Sequence, residues 1–304
     1  MPVGLIICMG IRFDKKKYII SQIDKISNIM SLSSYEEVIF INEPKISQLC
    51  YNMNLGSTEP KFAILEDGTQ AITKLYNGPE GNLVLFNEYL CYRLAILLDI
   101  PMPRSGICIL DSSSEILDEN LADLHNYGKA FFSEYMPKVT KLLPSIIGKM
   151  RNKEDFVKIL LFDHVIFNTD RNPGNLLVRF CKDDISLKVI DHTHVFINQT
   201  FWDANCLKRA MAENDLLNTK VLEYNAYLYQ MFFQNFSITK EMLEKESLVF
   251  KSKINRDIIV ELIGYIPDEW KPKQTDLDEL VKYILYRVNN LDVIISTIIA
   301  YHNR

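Results

Sequence analysis

The sequence is poor in the residues that mark fibrous, low-complexity and disulfide-bonded proteins. Its 304 residues include only 11 glycines and 11 prolines, and its six cysteines form no CxxC pair. These low counts exclude a collagen-like or disulfide-stapled chain, and they favour reduced thiols over zinc ligands. Since 48% of the residues are hydrophobic, we expect a packed core in one large two-lobed domain or in two domains.

A strong positive charge and a long apolar run are missing as well. The 34 basic side chains are opposed by 39 acidic ones, and the formal net charge of −5 disfavours nonspecific binding to the phosphate backbone of nucleic acids. No apolar run reaches the ~18 residues of a membrane helix, and the first residues lack the basic segment and cleavage site of a signal peptide. We therefore expect a cytoplasmic protein, with neither nucleic acid nor a membrane as a direct partner.

Hydrophobic periodicity divides the chain into a β-rich first half and a helical second half. Residues 1–43 alternate apolar runs with a helical stripe, which predicts a β-α-β-like extension. The dipeptide Asp67-Gly68 favours the tight turn of a β-hairpin, and the spacing of apolar residues over 82–98 predicts a helix. The other predicted elements are strands near 105–110 and 129–134 with a loop between them, a helix over 155–168, a hairpin over 176–190, and helices after 201, the last of them over 275–301.

This order of elements predicts an α+β fold of two lobes with a cleft between them. We place the extension at residues 1–43, the β-rich N-terminal lobe at 44–136 and the helical C-terminal lobe at 137–304. The polar turns lie near the middle of the chain, where the two lobes would meet.

The segment from Asn168 to His192 carries the strongest chemical signal. Asp170 and Asn175 lie five residues apart on a polar turn, and Asp191 ends a short apolar strand 21 residues after Asp170. Phosphoryl transfer needs one carboxylate that accepts the proton of the attacking hydroxyl, and an amide oxygen and a second carboxylate that hold magnesium. The Asp-to-Asn spacing matches the D-x-x-x-x-N loop of protein kinases.

Two other interpretations of this segment compete with the kinase one. Asp, Asn, Pro and Gly dominate surface turns for conformational reasons, so the turn alone decides nothing. An EF-hand calcium loop would need glycine and glutamate where the chain has Asn175 and Cys181, which excludes it. Asp191 favours the kinase interpretation, because a carboxylate is otherwise a poor choice beside Val189 and Ile190.

A kinase also needs residues upstream that hold the nucleotide. Lys74 lies on a predicted strand and Glu88 on the next helix, in the order expected for the lysine that contacts the phosphates and the glutamate that holds it. A short polar loop could cradle phosphate with its backbone N–H groups, and a strand that stops at Pro137 suits a hinge against adenine. Alone, each signal is weak. The loop residues are Gly56, Ser57 and Thr58, and the hinge residues are Glu134, Tyr135 and Met136.

Taken together, these motifs resemble those of the HipA-like kinases, distant relatives of the phosphatidylinositol-kinase and protein-kinase folds. The resemblance runs from about Leu49 to Trp270 and includes DGxxxxxK, SEYMP, NTDRNPGNLLV and VIDHTHVF. It implies a two-lobed protein-kinase-like fold and a Ser/Thr kinase that uses ATP and Mg²⁺ and has its hinge at residues 134–136. The implied roles are an ion pair for Lys74 and Glu88, a base for Asp170, and metal ligands for Asn175 and Asp191.

The chain departs from the large eukaryotic protein-kinase family at three motifs. It has no GxGxxG loop, Thr169 stands directly before Asp170 in place of a His-Arg-Asp motif, and His192 follows Asp191 in place of Asp-Phe-Gly. Regulation by an Asp-Phe-Gly flip is therefore not expected. We interpret His192 and His194 as loop or core histidines rather than zinc ligands, since no third ligand is nearby.

The phosphoryl acceptor is left open by the sequence. The same carboxylates would serve a protein kinase, a small-molecule kinase or a lipid kinase, and a nucleotide-binding pseudokinase is a further interpretation. The presence of Asp170 argues against the pseudokinase, because a protein that only binds nucleotide needs no base. Ser57 and Thr58 are candidate autophosphorylation sites, although their hydroxyls could instead contact phosphates or cap the turn. The protein substrate, the pathway and the oligomeric state also stay open.

Overall fold

A computed structural model describes residues 43–121, 126–181 and 184–303. The predicted β-α-β-like extension lies, except for Glu43, outside the described residues. The first half of the described chain is built on a six-stranded sheet in the order β4-β6-β3-β2-β1-β5. Its strands are β1 (Ile46–Asn52), β2 (Lys61–Leu65), β3 (Gln70–Lys74), β4 (Ser105–Leu110), β5 (Glu115–Ile116) and β6 (Gly128–Glu134).

This sheet curls back on itself. Lys45, directly before β1, bridges to Ile109 on β4, although these strands lie far apart in the order of the sheet. Because side chains alternate along each strand, one set of apolar residues points into the curl, among them Leu49, Ala63 and Phe132. The opposite set, which includes Lys74, is left to face the rest of the molecule.

The predicted β-hairpin is confirmed, with β2 and β3 paired antiparallel. Gly68 has φ +81, a left-handed conformation that suits glycine, and its N–H donates to the carbonyl of Leu65 at 2.9 Å. The carboxylate of Asp67 accepts the N–H of Thr69. The turn fixes the register of β3, and the register places Lys74 at the C-terminal end of that strand.

The second half combines a three-stranded sheet, β7-β8-β9, with most of the helices. Helix α1 covers Leu83–Leu97 and lies between β3 and β4 along the chain. It is buried almost all round, because it packs against the first sheet and the later helices. The later strands are β7 (Val139–Lys141), β8 (Leu176–Cys181) and β9 (Asp184–Val189). The later helices are α2 (Pro144–Ile147), α3 (Asp155–Val165), α4 (Ala204–Ala212), α5 (Lys220–Tyr224), α6 (Ala226–Asn235), α7 (Lys240–Lys253), α8 (Arg256–Gly264), α9 (Gln274–Asn289) and α10 (Leu291–His302).

Three sequence-based boundaries were wrong. The single helix predicted over 275–301 is two helices, because Asn290 leaves the helical conformation and its side-chain amide donates to the carbonyl of Tyr286 at 2.7 Å. The helix predicted to reach Asn168 ends at Val165, since Phe167 has φ +49. The predicted loop after β4 contains the short strand β5, which pairs with β1.

No helix within the described residues is long and apolar enough to cross a membrane.

Candidate active site

Lys74 is the meeting point of the sheet, α1 and the segment after β9. Its ammonium contacts the Oε1 atom of Glu88 at 2.5 Å and the Oδ1 atom of Asp191 at 2.9 Å. Thr193 accepts from the same ammonium, and its hydroxyl donates to Glu88 at 2.9 Å. Three residues that the sequence predicted from separate motifs are therefore in direct contact.

The protonation states of Lys74 and Asp191 follow from the charges that surround them. Burial of Lys74 alone would lower its pKa, but the carboxylates of Asp191 and Glu88 raise the pKa above its ordinary value. Burial acts to raise the pKa of Asp191, and the neighbouring ammonium of Lys74 outweighs it, so that this pKa falls below its ordinary range. Lys74 is therefore protonated and Asp191 ionised at neutral pH.

Asp191 and Asn175 are held beside each other by the backbone. The N–H of Ile190 donates to the carbonyl of Asn175 at 3.1 Å, which brings the end of β9 against the turn that precedes β8. Asp191 itself has φ +60, an unusual conformation for a residue with a Cβ. Such strained residues persist where the surrounding structure holds them, and they cluster at functional sites.

Asp170 and Asn175 are joined across the turn between them. The side-chain amide of Asn175 donates to the carbonyl of Asp170 at 2.7 Å, and Asn168 accepts the N–H of Asp170 at 2.9 Å. The Asp170 carboxylate is 44% exposed, so an incoming hydroxyl can reach it. The bond from the Asn175 amide leaves its carbonyl oxygen available for a cation.

Residues 46–293 match the family model of the HipA-like kinases. The chain belongs to the HipA-like kinase family. The match covers most of the chain, including every site residue that the sequence predicted, and it begins after the segment read as an extension. No curated protein matches the chain by sequence.

Two solved structures share the fold of this HipA-like kinase. The proinflammatory kinase CtkA of Helicobacter pylori covers 86% of this chain and is itself covered completely, with a TM-score of 0.54 at 11% identity. A Golgi casein kinase with Mn and ADP bound covers 84% of this chain, which spans 74% of it, with a TM-score of 0.52 at 12% identity. At these identities the likeness shows the kinase fold alone.

A buried network that sequence reasoning missed holds the turn over residues 168–175, which carries Asp170. The guanidinium of Arg171 contacts both carboxylate oxygens of Asp163 on α3 at 3.0 to 3.2 Å, and both side chains are fully buried. Asn168 and Tyr229 also donate to this carboxylate. Asn225 completes the network, accepting the N–H of Arg171 at 2.8 Å.

The network also reaches the residue after Asp191. Arg171 donates to the carbonyl of Ile190 at 2.9 Å and contacts the Nε2 atom of His192 at 2.8 Å. Burial, followed by the charge of Arg171, lowers the pKa of His192 well below its ordinary value, so this histidine is neutral. A sequence signal existed, because Asp163 interrupts the apolar run ILLFDHVIF, where an unpaired carboxylate would be costly.

His194 was also missed as a site residue. Its Nδ1 atom lies 3.4 Å from the Asp170 carboxylate, and its Nε2 atom lies 2.9 Å from Glu80, in the loop before α1. The hydrogen bond to Asp170 is the largest of the contributions that raise its pKa to about 9. A protonated His194 therefore links the loop before α1 to the turn that carries Asp170.

This link predicts a pH-dependent stability. The His194 pKa of about 9 lies above the ordinary value of 6.5, so the contribution is complete below about pH 6.5 and is lost as the pH rises through 9. We expect the free energy of unfolding of the wild type to exceed that of His194→Gln by on the order of 1 kcal/mol at pH 6, after solvent screening. Urea unfolding from pH 6 to 9.5 measures the difference. A difference that does not change with pH would contradict the assigned charge.

The predicted phosphate loop connects β1 and β2. The N–H of Met53 donates to the carbonyl of Pro60 at 2.9 Å and closes the loop, and Gly56 has φ +65 at its tip. Gly56 and Ser57 are exposed and Thr58 is half-buried. The structure records no contact between this loop and Lys74 within the described residues, so its role as a phosphate loop stays a prediction.

The predicted hinge follows the end of β6. The N–H of Glu134 donates to the carbonyl of Arg104 at 2.7 Å, and the N–H of Tyr135 donates to the carbonyl of Gln70 at 2.8 Å. These two donors are therefore already used by the neighbouring strands. Of the three predicted hinge residues, Met136 alone has a backbone N–H without an acceptor within the described residues, and the hinge stays a prediction.

Proposed function

We propose that this chain transfers the γ-phosphate of ATP, with Mg²⁺, to a serine or threonine of a protein. The observation that carries the proposal is the contact of one ammonium, that of Lys74, with both Glu88 and Asp191. In kinases the Lys–Glu pair and the metal-binding aspartate must be in place together before phosphate is transferred. Here the pair of Lys74 and Glu88 and the proposed metal ligand Asp191 meet at the same ammonium.

The oxygen atoms near Asp191 suit a magnesium ion. Mg²⁺ in kinase sites takes one or two protein oxygen ligands and completes its shell with phosphate oxygens and water. Asn175 offers its amide oxygen, and Asp191 offers the carboxylate oxygen that does not contact Lys74. Bound there, the ion would neutralise charge on the phosphates. The Mn and ADP in the Golgi casein kinase structure support a divalent metal and a nucleotide as ligands.

The remaining roles follow from position. Lys74 would contact the α- and β-phosphates, and the Met136 N–H would bind adenine. Asp170, exposed beside this group, would accept the proton of the acceptor hydroxyl while the bond from that oxygen to the γ-phosphorus forms and the bond to the leaving ADP breaks. We also propose that the protein acts in the cytoplasm.

A radiolabel experiment tests the transferase activity. We expect purified wild-type protein to transfer phosphate from γ-labelled ATP to protein in a cell lysate when Mg²⁺ is present, and Lys74→Met to lower the rate about 10²-fold or more. Lys45→Met is the matched control, because Lys45 pairs with Asp111 outside the site. If a lipid or a small metabolite is labelled and protein is not, the result would favour a lipid kinase or a small-molecule kinase. ATP binding without any transfer would favour a pseudokinase.

Ser57 and Thr58 offer a second test of the same proposal. Phosphorylation would add roughly −1.5 to −2 charges to the phosphate loop, and repulsion from ATP should weaken nucleotide binding. After incubation with ATP and Mg²⁺, mass spectrometry should find phosphate on the peptide Asn54–Lys61 of the wild type and not of Asp170→Ala. An unmodified peptide in an enzyme that labels other proteins would remove autophosphorylation of Ser57 and Thr58 from the proposal.

A further inference from the structure

A cavity of about 450 Å³ lies beside the turn that carries Asp170. Thr169, directly before Asp170, lines it, and Gln199 on the opposite wall donates to the Thr169 hydroxyl at 3.3 Å. None of the residues assigned to the nucleotide lines this cavity. The cavity therefore begins one residue before the proposed base and shares no lining residue with the proposed nucleotide site, which is a position that suits part of the acceptor.

The wall formed by residues 196–201 is held in place from several sides. Phe196, Asn198 and Gln199 all have positive φ, and the N–H of Phe196 donates to the carbonyl of Ile166 at 2.6 Å. The side-chain amide of Asn198 donates to the carbonyl of Phe201 at 3.0 Å. Three left-handed residues without glycine indicate a strained segment whose shape the fold maintains.

Helix α1 also fixes this wall. The side-chain amide of Asn87 donates to the carbonyls of Thr193 and Gln199 at 2.8 and 3.5 Å, and its carbonyl oxygen accepts the indole N–H of Trp202 at 3.0 Å. Asn87 is buried and directly precedes Glu88. The cavity is thus built by the same helix that holds Lys74, so it exists before any acceptor binds.

The lining of the cavity combines aromatic rings with two cations. Phe167 and Phe196 are buried at its base, and Tyr224 is exposed at its edge. Arg209 on α4 and Lys220 on α5 line it as well, and within the described residues neither head group has a recorded ion pair. Outside the lining, the Cys206 N–H and, to a smaller extent, the charge of Arg209 lower the pKa of the Asp203 carboxylate at the start of α4.

We infer that this cavity binds an acidic side chain of the protein substrate next to the serine or threonine that is phosphorylated. Within the described residues, the lining of this cavity includes two cations and no carboxylate, so its walls carry positive charge in a chain of net charge −5. An Asp or Glu side chain complements that charge, and the exposed aromatic edge suits the peptide backbone around it. This inference rests on the proposed kinase activity, and it adds the class of sequence that the kinase selects.

Peptide kinetics test the inference. The probes are alanine-based peptides with one central serine and one glutamate at each position from −4 to +4, each matched with a peptide that carries glutamine there. We expect kcat/KM of the wild type to favour glutamate over glutamine by about tenfold at one or two positions. In Arg209→Gln/Lys220→Gln this ratio should fall to about one to threefold.

Lys208→Gln is the matched control, since Lys208 lies on the same helix but pairs with Glu279 outside the cavity. It should keep both the wild-type preference and the wild-type ATP turnover. Equal rates on glutamate and glutamine peptides, or a preference that survives in the double variant, would overturn the inference while leaving the kinase activity established. Labelling of phosphoinositide vesicles in preference to every peptide would overturn it too. If no acceptor at all is labelled, it is the proposed function that fails.

Discussion

Asp170→Ala should lower kcat by about 10² to 10⁴-fold and leave ATP binding largely intact, whereas Asp191→Ala should abolish Mg²⁺-dependent binding and turnover together. The contrast follows from position. Asp170 contacts His194 and Asn175 but does not touch Lys74, so its removal should affect the proposed proton acceptance and leave the proposed nucleotide contacts in place. Asp191 touches Lys74 and stands beside Asn175, so its removal takes away a proposed metal ligand.

Isothermal titration with a non-hydrolysable ATP analogue, with and without Mg²⁺, separates the two effects. Single-turnover kinetics on the same variants then give the rate of the chemical step. An equal loss of analogue affinity in both variants would mean that the two carboxylates share one function. Retained Mg²⁺-dependent affinity in Asp191→Ala would remove this residue from the metal site.

The buried pair of Arg171 and Asp163 should have the largest effect on stability. Asp163→Ala leaves a guanidinium in the core without its carboxylate, and loss of one partner of a buried ion pair costs about 3 to 5 kcal/mol. The turn that carries Asp170 depends on the same pair, because Arg171 also donates to the carbonyls of Asn175 and Ile190. We therefore expect a lower free energy of unfolding together with a strong loss of transferase activity, measured by urea unfolding and by the labelling assay.

A double variant distinguishes the charge from the packing. In Asp163→Leu/Arg171→Met neither charge remains, so a large part of the lost stability should return while the activity does not. Asp292→Ala is the control, since it removes an exposed partner of Lys251 and should change stability by less than about 1 kcal/mol. If the double variant is as unstable as Asp163→Ala, packing rather than an uncompensated charge explains the loss.

The local elements of this fold could be predicted where chemistry and periodicity agree. The Asp67-Gly68 turn fixed a hairpin, and the apolar spacing around Glu88 fixed α1. Strand β1 escaped prediction because its pairing with β2 is irregular in two places, so its buried residues do not alternate strictly. Asn290 escaped because the apolar stripe continues across the break, where the backbone leaves the helical conformation and the Asn290 side chain bonds the carbonyl of Tyr286.

The residues of the candidate site likewise divide into those that local sequence motifs predicted and those that they did not. Lys74, Asp170 and Asp191 belong to short motifs whose order along the chain carries meaning, and the structure brings Lys74 and Asp191 into contact. His194 and Glu80 are 114 residues apart, and their contact depends on how the loop before α1 meets the segment after β9. Sequence spacing contains no information about such a long-range approach. The cavity beside Thr169 is likewise formed by segments that only the tertiary structure brings together.

Helix α1 contacts both the proposed acceptor cavity and the proposed nucleotide site. Asn87 bonds the wall of the cavity, and its neighbour Glu88 bonds Lys74. A displacement of the helix would move both bonds together. Thermodynamic linkage then sets a strict symmetry: whatever factor an acceptor peptide applies to the affinity for ATP, ATP applies to the affinity for the peptide. The ternary complex consequently has the same free energy whichever of the two substrates binds first.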